Sequence, residues 1–335
     1  MRKEDKYCEY LLRNVKETFE SKEFFSCKNK THTRYNPKFV QPTNECFKYT
    51  IENIFGLKNI DCKLYDSVIN GQGNEKDKIN SLYSSSLQSL VAFHNVNNDN
   101  QIKIQINNEH LSFDKVYFEQ KNKVIGYPSS IDVVLTNKDS VLFIESKLFE
   151  IVRDSTDSDD TPKVIGVSYL SNRDSSYHET LKIKEVGDLN KIGIYPNRYP
   201  IEDKKLNKED ATSIKRFEDN KFVYSEGIKQ VLSHLIGISN FEKGNYHEGC
   251  IEELKKRKFK KYYYIELYNE LPGFDFEEAN EKLKQFKKHV EGVFEITKNK
   301  INVICDIKTY QELYKENSNM FNDTIVKYYH LDEKR

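Results

Sequence analysis

The chain has 335 residues, with 53 Lys or Arg and 53 Asp or Glu, so its formal net charge is zero. A neutral protein has no global field that attracts a polyanion, and any nucleic-acid surface must be a local patch. The 20 Phe and 22 Tyr residues exclude wholesale disorder. Because the amino terminus is charged and no long apolar run occurs, we expect neither an ordinary secretory signal nor a membrane span.

The six cysteines form no CxxC pair and no zinc-finger cluster with histidine. Scattered cysteines of this kind are typical of reduced thiols, so we expect a cytoplasmic protein. The alternative is a disulfide framework, which would be unusual in a chain this long and polar.

The amino-terminal part is predicted to be helical. Apolar residues recur there every four positions, at Tyr7, Leu11, Val15 and Phe19. A second periodic segment follows Pro42 and ends near Gly56. After a glycine-rich turn at 71–74, a wide apolar stripe predicts a longer helix over 79–93, and the Asn- and Asp-rich segment 95–100 indicates a loop.

The pattern then changes to the period of a strand. Alternating isoleucines predict a half-buried strand over 102–106, and 113–118 is a further candidate. Two short β-rich runs at 131–135 and 141–146 are joined by a polar segment that suits a tight turn, so we predict a hairpin. The acidic segment 153–163 indicates a loop, whereas 171–220 shows too little periodicity for assignment.

The carboxyl-terminal part mixes both types of element. Helices are predicted over 226–239, from a capping box at Asp275 and Glu278 to Val290, and from Thr309 onward. Strands are predicted at 262–268 and 301–307. Since neither an internal repeat nor a clear linker occurs, one α/β domain with helical additions is the simplest interpretation.

The predicted hairpin carries the charges with the most chemical content. Side chains two residues apart on a strand point to the same face, so Glu145 and Lys147 leave the end of an otherwise apolar strand together. The short turn brings Asp132, on the preceding strand, beside Glu145. We therefore predict two carboxylates and one ammonium at one end of a buried sheet.

Such a group suits metal-dependent phosphodiester hydrolysis. Two close carboxylates repel each other unless a cation intervenes, and two hard oxygen ligands in a half-open site suit Mg²⁺. The ion would stabilise the phosphate charge and lower the pKa of bound water. The lysine would orient or deprotonate the attacking water. The alternative is that all three residues are surface charges with a simple ion pair, but the apolar flanks favour a buried site.

The residues Asp132 and then Glu145-Ser146-Lys147 resemble the core motif of the PD-(D/E)xK nuclease superfamily, in its type II restriction-endonuclease-like branch. The segments around Glu75 and Gln230 are similar to two helices of that branch, and the likeness covers roughly residues 70 to 240. The proline that usually precedes the aspartate is absent, since Ile131 stands there.

The resemblance implies an α/β fold with a restriction-endonuclease-like core, a central mixed sheet flanked by helices. It divides the chain into a helical amino-terminal region at 1–70, a nuclease core with insertions at 71–305 and a helical tail at 306–335. Asp132 and Glu145 would bind Mg²⁺, Glu75 would ligate a second ion or lie at the helix terminus, and Gln230 would approach the scissile phosphate or face solvent.

The function that this resemblance implies is a type II restriction enzyme that cleaves double-stranded DNA. A palindromic target would require a homodimer, and the host would need a cognate DNA methyltransferase. Alternatives are a repair or defence nuclease of the same fold without fixed sequence specificity, and a catalytically silent nucleic-acid-binding protein.

The segment 255–261 is a run of basic residues and a candidate for contacts with the DNA backbone, although such runs are usually solvated helix faces. Its cations are Lys255, Lys256, Arg257, Lys258, Lys260 and Lys261. The absence of P-loop, GxGxxG and GxSxG motifs argues against NTP-driven, dinucleotide and serine-hydrolase chemistry.

Overall fold

The architecture comes from a computed structural model. It describes residues 3–19, 25–26, 38–39, 52, 55–57, 62–69, 82, 84–124, 128–148, 150–152, 164–165, 194–196, 222–224, 227–274 and 277–333. Within these ranges the chain is an α/β protein whose central sheet is flanked by helices.

The described helices lie before residue 94 and after residue 227. They are α1 (Lys3–Thr18), α2 (Cys62–Ile69), α3 (Ser85–Phe93), α4 (Ile228–Glu242), α5 (Glu252–Lys255), α6 (Glu277–Thr297), α7 (Tyr310–Glu316) and α8 (Asp323–Tyr329), with a 3₁₀ turn at Ser318–Met320. The described strands are β1 (Phe25–Ser26), β2 (Lys38–Phe39), β3 (Ile102–Ile106), β4 (Glu109–Phe113), β5 (Lys115–Asn122), β6 (Ser129–Thr136), β7 (Ser140–Lys147), β8 (Val164–Ile165), β9 (Ile194–Pro196), β10 (Phe222–Tyr224), β11 (Lys261–Tyr268) and β12 (Ile304–Thr309).

The central sheet is mixed and has the order β12-β11-β7-β6-β5. Strands β5, β6 and β7 form an antiparallel meander, whereas β11 and β12 run parallel to β7. Strand β7 is buried along its whole length, which explains its nearly continuous apolar sequence. Strands β3 and β4 form a separate hairpin, β1 pairs with β2, and β8, β10 and β9 form a small three-stranded sheet.

The predicted hairpin of β6 and β7 is confirmed. Its ladder pairs Val133 with Ile144, and Thr136 with Val141. The side chain of Asn137 accepts hydrogen bonds from the backbone N–H groups of Asp139 and Ser140, so a side chain closes the turn.

Helices cover both faces of β7. Phe143 packs edge-on against Phe241 of α4, with ring centroids 5.4 Å apart, so the odd-numbered side chains of β7 face α4. On the other face, the Ser146 hydroxyl donates to the backbone oxygen of Ser85 at the start of α3. Glu145 and Lys147 therefore project into the layer between β7 and α4.

The side chains of strand β5 exchange faces of the sheet at Glu119. Tyr117 bonds to Glu253 and Gln120 bonds to Cys250, so two side chains three positions apart reach the same neighbouring segment. Strict alternation would place them on opposite faces. Glu119 lies between them in the left-handed region with φ of 56°, and here the side chains of the strand exchange faces while its pairing with β6 continues.

Several predicted elements begin or end elsewhere. The helix predicted from residue 79 begins at Ser85, because the hydroxyl of Ser84 caps it by accepting from the Leu87 N–H at 3.1 Å. The strand predicted at 113–118 is present from Lys115, as the first part of β5, whereas Phe113 belongs to β4 and Asp114 separates the two strands. The last strand starts at Ile304, and the domain boundary predicted after 305 falls within it.

Other predictions agree with the structure or lie outside it. The tail helix after Thr309 is confirmed, with Thr309 and Glu312 forming a capping box. The amino-terminal helix is also present, and its Tyr10 donates a hydrogen bond to the backbone of Pro272 at 2.9 Å. The predicted loop at 153–163 and the capping box at Asp275 lie outside the described residues.

In the described part of the chain, no helix combines the length and the apolar character that crossing a bilayer requires. Among the cysteines whose side chains the structure describes, Cys250 and Cys305 are free thiols.

Phe143 tests the packing of α4 on the sheet, because it is fully buried at the centre of β7. Replacing it by Ala should lower the free energy of unfolding by about 3–5 kcal/mol, measured by urea denaturation. The exposed Lys115→Ala variant on the edge strand is the control and should leave the midpoint unchanged. An unaltered midpoint in Phe143→Ala would contradict the assigned packing.

Candidate active site

The strand register brings Asp132 and Glu145 together. The ladder pairs Val133 with Ile144, and one further step along both strands places Asp132 beside Glu145. Regular pairing ends at this point, and the Asp132 carboxylate accepts the backbone N–H of Ser146 at 2.8 Å. The side chain of Asp132 thus satisfies an amide that the shortened ladder leaves without a strand partner.

Glu145 and Lys147 form a buried ion pair at the end of β7. The Lys147 Nζ lies 2.6 Å from Glu145 Oε1, and the two residues are 5% and 2% exposed. Gln230, in the first turn of α4, bridges them: its Oε1 accepts from Lys147 at 2.7 Å and its Nε2 donates to Glu145 Oε1. Gln230 itself is exposed and Asp132 is partly buried, so these two residues border the solvent.

His234 lies on the same side of α4, one turn after Gln230, and the sequence analysis missed it. Its Nε2 lies 3.0 Å from Glu145 Oε2, and its Nδ1 is 2.5 Å from the hydroxyl of Ser129. The spacing of four residues from Gln230 was a signal in the sequence, because positions i and i+4 share a helix face.

Ser129, His234 and Glu145 have the residue types of a serine-hydrolase triad, but the geometry favours a structural chain. Ser129 is only 4% exposed, so its hydroxyl is not accessible to a substrate. The Ser129 hydroxyl contacts Nδ1 of His234, the ring nitrogen on the side away from Glu145, and this contact fixes the orientation of the imidazole.

Glu266 is a second residue that the sequence analysis missed. It pairs with Glu145 in the parallel register of β11 and β7, it is fully buried, and its carboxylate accepts the hydroxyl of Tyr264. Paired residues of neighbouring strands share a face, so Glu266 also projects toward α4. The sequence did contain a signal for Glu266, because it is a single carboxylate among the tyrosines of a buried strand.

The carboxyl groups of the site differ in their affinity for protons. Burial would raise the pKa of Glu145, but Lys147 and His234 lower it to about 2. Burial, Glu145 and Glu119 raise the pKa of Asp132 well above its usual value. Burial also raises the pKa of Glu266, to about 8. One permanently ionised carboxylate therefore faces two carboxyl groups that favour the neutral form.

Lys147 remains charged in this environment. Burial opposes the charge, but Glu145, and after it Glu266, Glu150 and Asp132, raise the pKa of the ammonium. A lysine with a raised pKa is a donor of hydrogen bonds and a poor general base. Of the two roles expected for Lys147, orientation of a water therefore fits the structure better than its deprotonation.

The donor chemistry fits a magnesium ion that keeps most of its water. Among the described residues, nothing donates to Oδ1 of Asp132, and Oε2 of Glu145 has no aligned hydrogen-bond partner. Hard carboxylate oxygens of this kind are Mg²⁺ ligands. The described ranges contain no group of three His, Cys, Asp or Glu side chains that could hold a metal ion. Water and substrate oxygens would have to complete the coordination.

The other predicted site residues lie elsewhere. Glu75 is outside the described residues. The basic run lies at the opposite end of β11, because Lys261 pairs with Ser140 whereas Tyr268 pairs with Lys147. Seven residues of strand separate these two ends by roughly 23 Å.

Most cations of the basic run have partners within the protein. Lys255, Lys260 and Lys261 form ion pairs with Glu252, Asp139 and Glu109. Arg257 donates to the Thr136 hydroxyl and the Asn137 carbonyl, at the turn of the hairpin. Within the described ranges Lys256 and Lys258 are exposed and form no ion pair. The contact of this run with DNA remains a prediction.

Comparison with known proteins does not identify this chain, since no family model, curated protein or solved structure matches it.

The raised pKa of Glu266 predicts a dependence of stability on pH. In the folded protein the pKa of Glu266 is about 8, whereas in the unfolded chain the pKa has its usual value of 4.5. This contribution to stability is fully present below pH 4.5 and is lost as the pH rises through 8. Glu266→Gln keeps an acceptor for Tyr264 and cannot ionise, so it should gain stability relative to the wild type with rising pH.

The measurement is urea denaturation of the metal-free protein at several pH values between about 5 and 9. The control is Glu281→Gln, an exposed carboxylate on α6, whose difference from the wild type should not change with pH. Parallel curves for Glu266→Gln and the wild type would show that Glu266 ionises normally in the folded state.

Proposed function

We propose that this protein is a Mg²⁺-dependent endonuclease that cleaves double-stranded DNA, and specifically a type II restriction enzyme. One observation carries the proposal: the register of β6 and β7 brings Asp132, Glu145 and Lys147 to one end of the sheet, at a border with solvent. The match of the motif to the PD-(D/E)xK pattern supports the choice of DNA as substrate.

Bound Mg²⁺ would polarise the scissile phosphate and lower the pKa of a coordinated water. Asp132 offers Oδ1 and Glu145 offers Oε2 to the ion. Lys147 uses two N–H groups for Glu145 and Gln230, and its third N–H is available to orient the attacking water or to neutralise a phosphate oxygen. Gln230 holds Glu145 and Lys147 in this arrangement from the exposed side.

The proposed partners follow from this substrate. Cleavage of both strands at a palindrome requires two sites related by a two-fold axis, so we propose a homodimer. A cognate DNA methyltransferase would protect the host genome. The reaction would leave 5′-phosphate and 3′-hydroxyl ends.

Asp132→Asn is the sharpest test of the site. The amide keeps an oxygen that can accept the Ser146 N–H, so the fold should persist, but the ligand charge is lost. We expect cleavage of plasmid DNA to fall at least about a hundredfold. The matched control is Asp139→Asn in the turn of the same hairpin, which should cut normally. Full activity of Asp132→Asn with an unchanged urea midpoint would contradict the proposal.

Digestion of a plasmid tests the metal and the specificity together. With Mg²⁺ we expect discrete fragments whose sequenced ends share one site, and with EDTA no cleavage. A smear would favour a repair or defence nuclease without fixed specificity. Retarded but uncut DNA in Mg²⁺ would favour a catalytically silent binding protein. Undiminished cleavage in EDTA would exclude the metal mechanism.

A further inference from the structure

Glu145 has little capacity left for a metal ion. An ionised carboxylate offers roughly four lone-pair positions for hydrogen bonds or metal ions. Lys147 and Gln230 both donate to Oε1, and His234 approaches Oε2 at 3.0 Å. The two positions on Oε1 are thus occupied by hydrogen bonds, and His234 lies close enough to Oε2 to block access to one of the two positions there.

The imidazole ring of His234 lies beside Oε2 of Glu145, and Ser129 holds the ring on its opposite side. Ser129 lies 2.5 Å from Nδ1, and His234 is 1% exposed. If the Ser129 hydroxyl donates to Nδ1, the ring proton is on Nε2, the atom that lies 3.0 Å from Oε2 of Glu145 without the alignment of a hydrogen bond. The ring can neither turn nor withdraw without leaving a buried polar group unpaired.

The close packing of α4 on the sheet determines the contact of His234 with Ser129 and Glu145. A Cβ added at Gly237 would lie 2.8 Å from Cβ of Asn122 and 3.4 Å from Cβ of Ser129. Glycine therefore allows α4 to approach β5 and β6 more closely than other residues would. Since Gly237 follows His234 by one turn, this approach brings His234 to Ser129 and Glu145.

We propose that His234, anchored by Ser129, is a positioning residue that restricts Glu145 to binding a metal ion through one lone pair of Oε2. The inference rests on the proposed Mg²⁺-dependent function. The restriction makes Glu145 a monodentate ligand and leaves the other coordination positions to Asp132, water and phosphate. Mg²⁺ accepts such a set because it demands octahedral geometry and keeps several waters.

A purely structural histidine would have different consequences. Its loss would lower stability and leave the affinity for a metal ion unchanged. A positioning histidine determines the direction of the Glu145 oxygen, so its loss changes metal affinity. Substitution of residues that orient metal ligands typically costs about 10- to 100-fold in metal affinity or activity.

The experiment measures Mn²⁺ binding without DNA by electron paramagnetic resonance, which reports the concentration of the free ion. Mn²⁺ is the probe because it takes the same oxygen ligands as Mg²⁺. We expect His234→Ala to weaken Mn²⁺ binding at least about tenfold and to raise the Mg²⁺ concentration for half-maximal cleavage in parallel. Ser129→Ala should change both in the same direction. His234→Gln, whose side-chain amide can still donate to Glu145, should stay close to the wild type.

The control is His289→Gln, which alters a second mostly buried histidine on a different helix and should leave Mn²⁺ binding unchanged. Unchanged Mn²⁺ affinity in both His234→Ala and Ser129→Ala would overturn the inference, even with lower urea midpoints. If His234→Ala does not fold, unchanged affinity in Ser129→Ala overturns it alone. A wild-type protein that binds no Mn²⁺ and cuts no DNA would overturn the proposed function as well.

Discussion

The buried ion pair of Glu145 and Lys147 is the constraint around which the central sheet is arranged. Moving a charge out of water costs several kcal/mol per ion, and only a close partner with further hydrogen bonds offsets that cost. Gln230 and His234 supply those bonds from α4, which must therefore pack directly on β7. A hydrophobic pair of equal volume would stabilise a fold at least as well. Stability alone does not account for these charges, and this favours the proposed chemical role.

The backbone around Asp132 gives the site its opening. Pairing of β6 with β7 ends at Val133, and the left-handed Glu119 interrupts the ladder of β5 with β6 at the same level, before pairing resumes at Gln120. Both ladders of β6 are therefore irregular where the carboxylates lie. Asp132 replaces the missing strand partner of Ser146 with a side-chain oxygen and keeps its other oxygen available. Irregular backbone next to a group of charges is a common feature of functional sites.

The sequence predicted the hairpin and its three charges because both depend on local information. Alternation, a polar turn of known chemistry and the two-residue period of a strand place Asp132, Glu145 and Lys147 together. The contacts of Glu266 and His234 depend on which strand lies beside β7 and how α4 is rotated. Both are long-range properties that periodicity does not encode. The basic run shows the opposite case. Its composition indicated free cations, whereas folding pairs three of the six with carboxylates and bonds Arg257 to the hairpin turn.

The charge distribution bears on how a neutral protein could hold DNA. Binding to a phosphate backbone depends on cations that replace condensed counterions. The basic run lies at the far end of β11, and Lys147, the ammonium of the site, is already paired with Glu145. Among the described residues, Glu145 is balanced by Lys147, and Asp132 and Glu266 favour the neutral form, so the site has no net positive charge that would attract a phosphate. A bound divalent ion would supply that charge at the point of cleavage. In the proposed enzyme, metal binding would thus promote both DNA approach and hydrolysis.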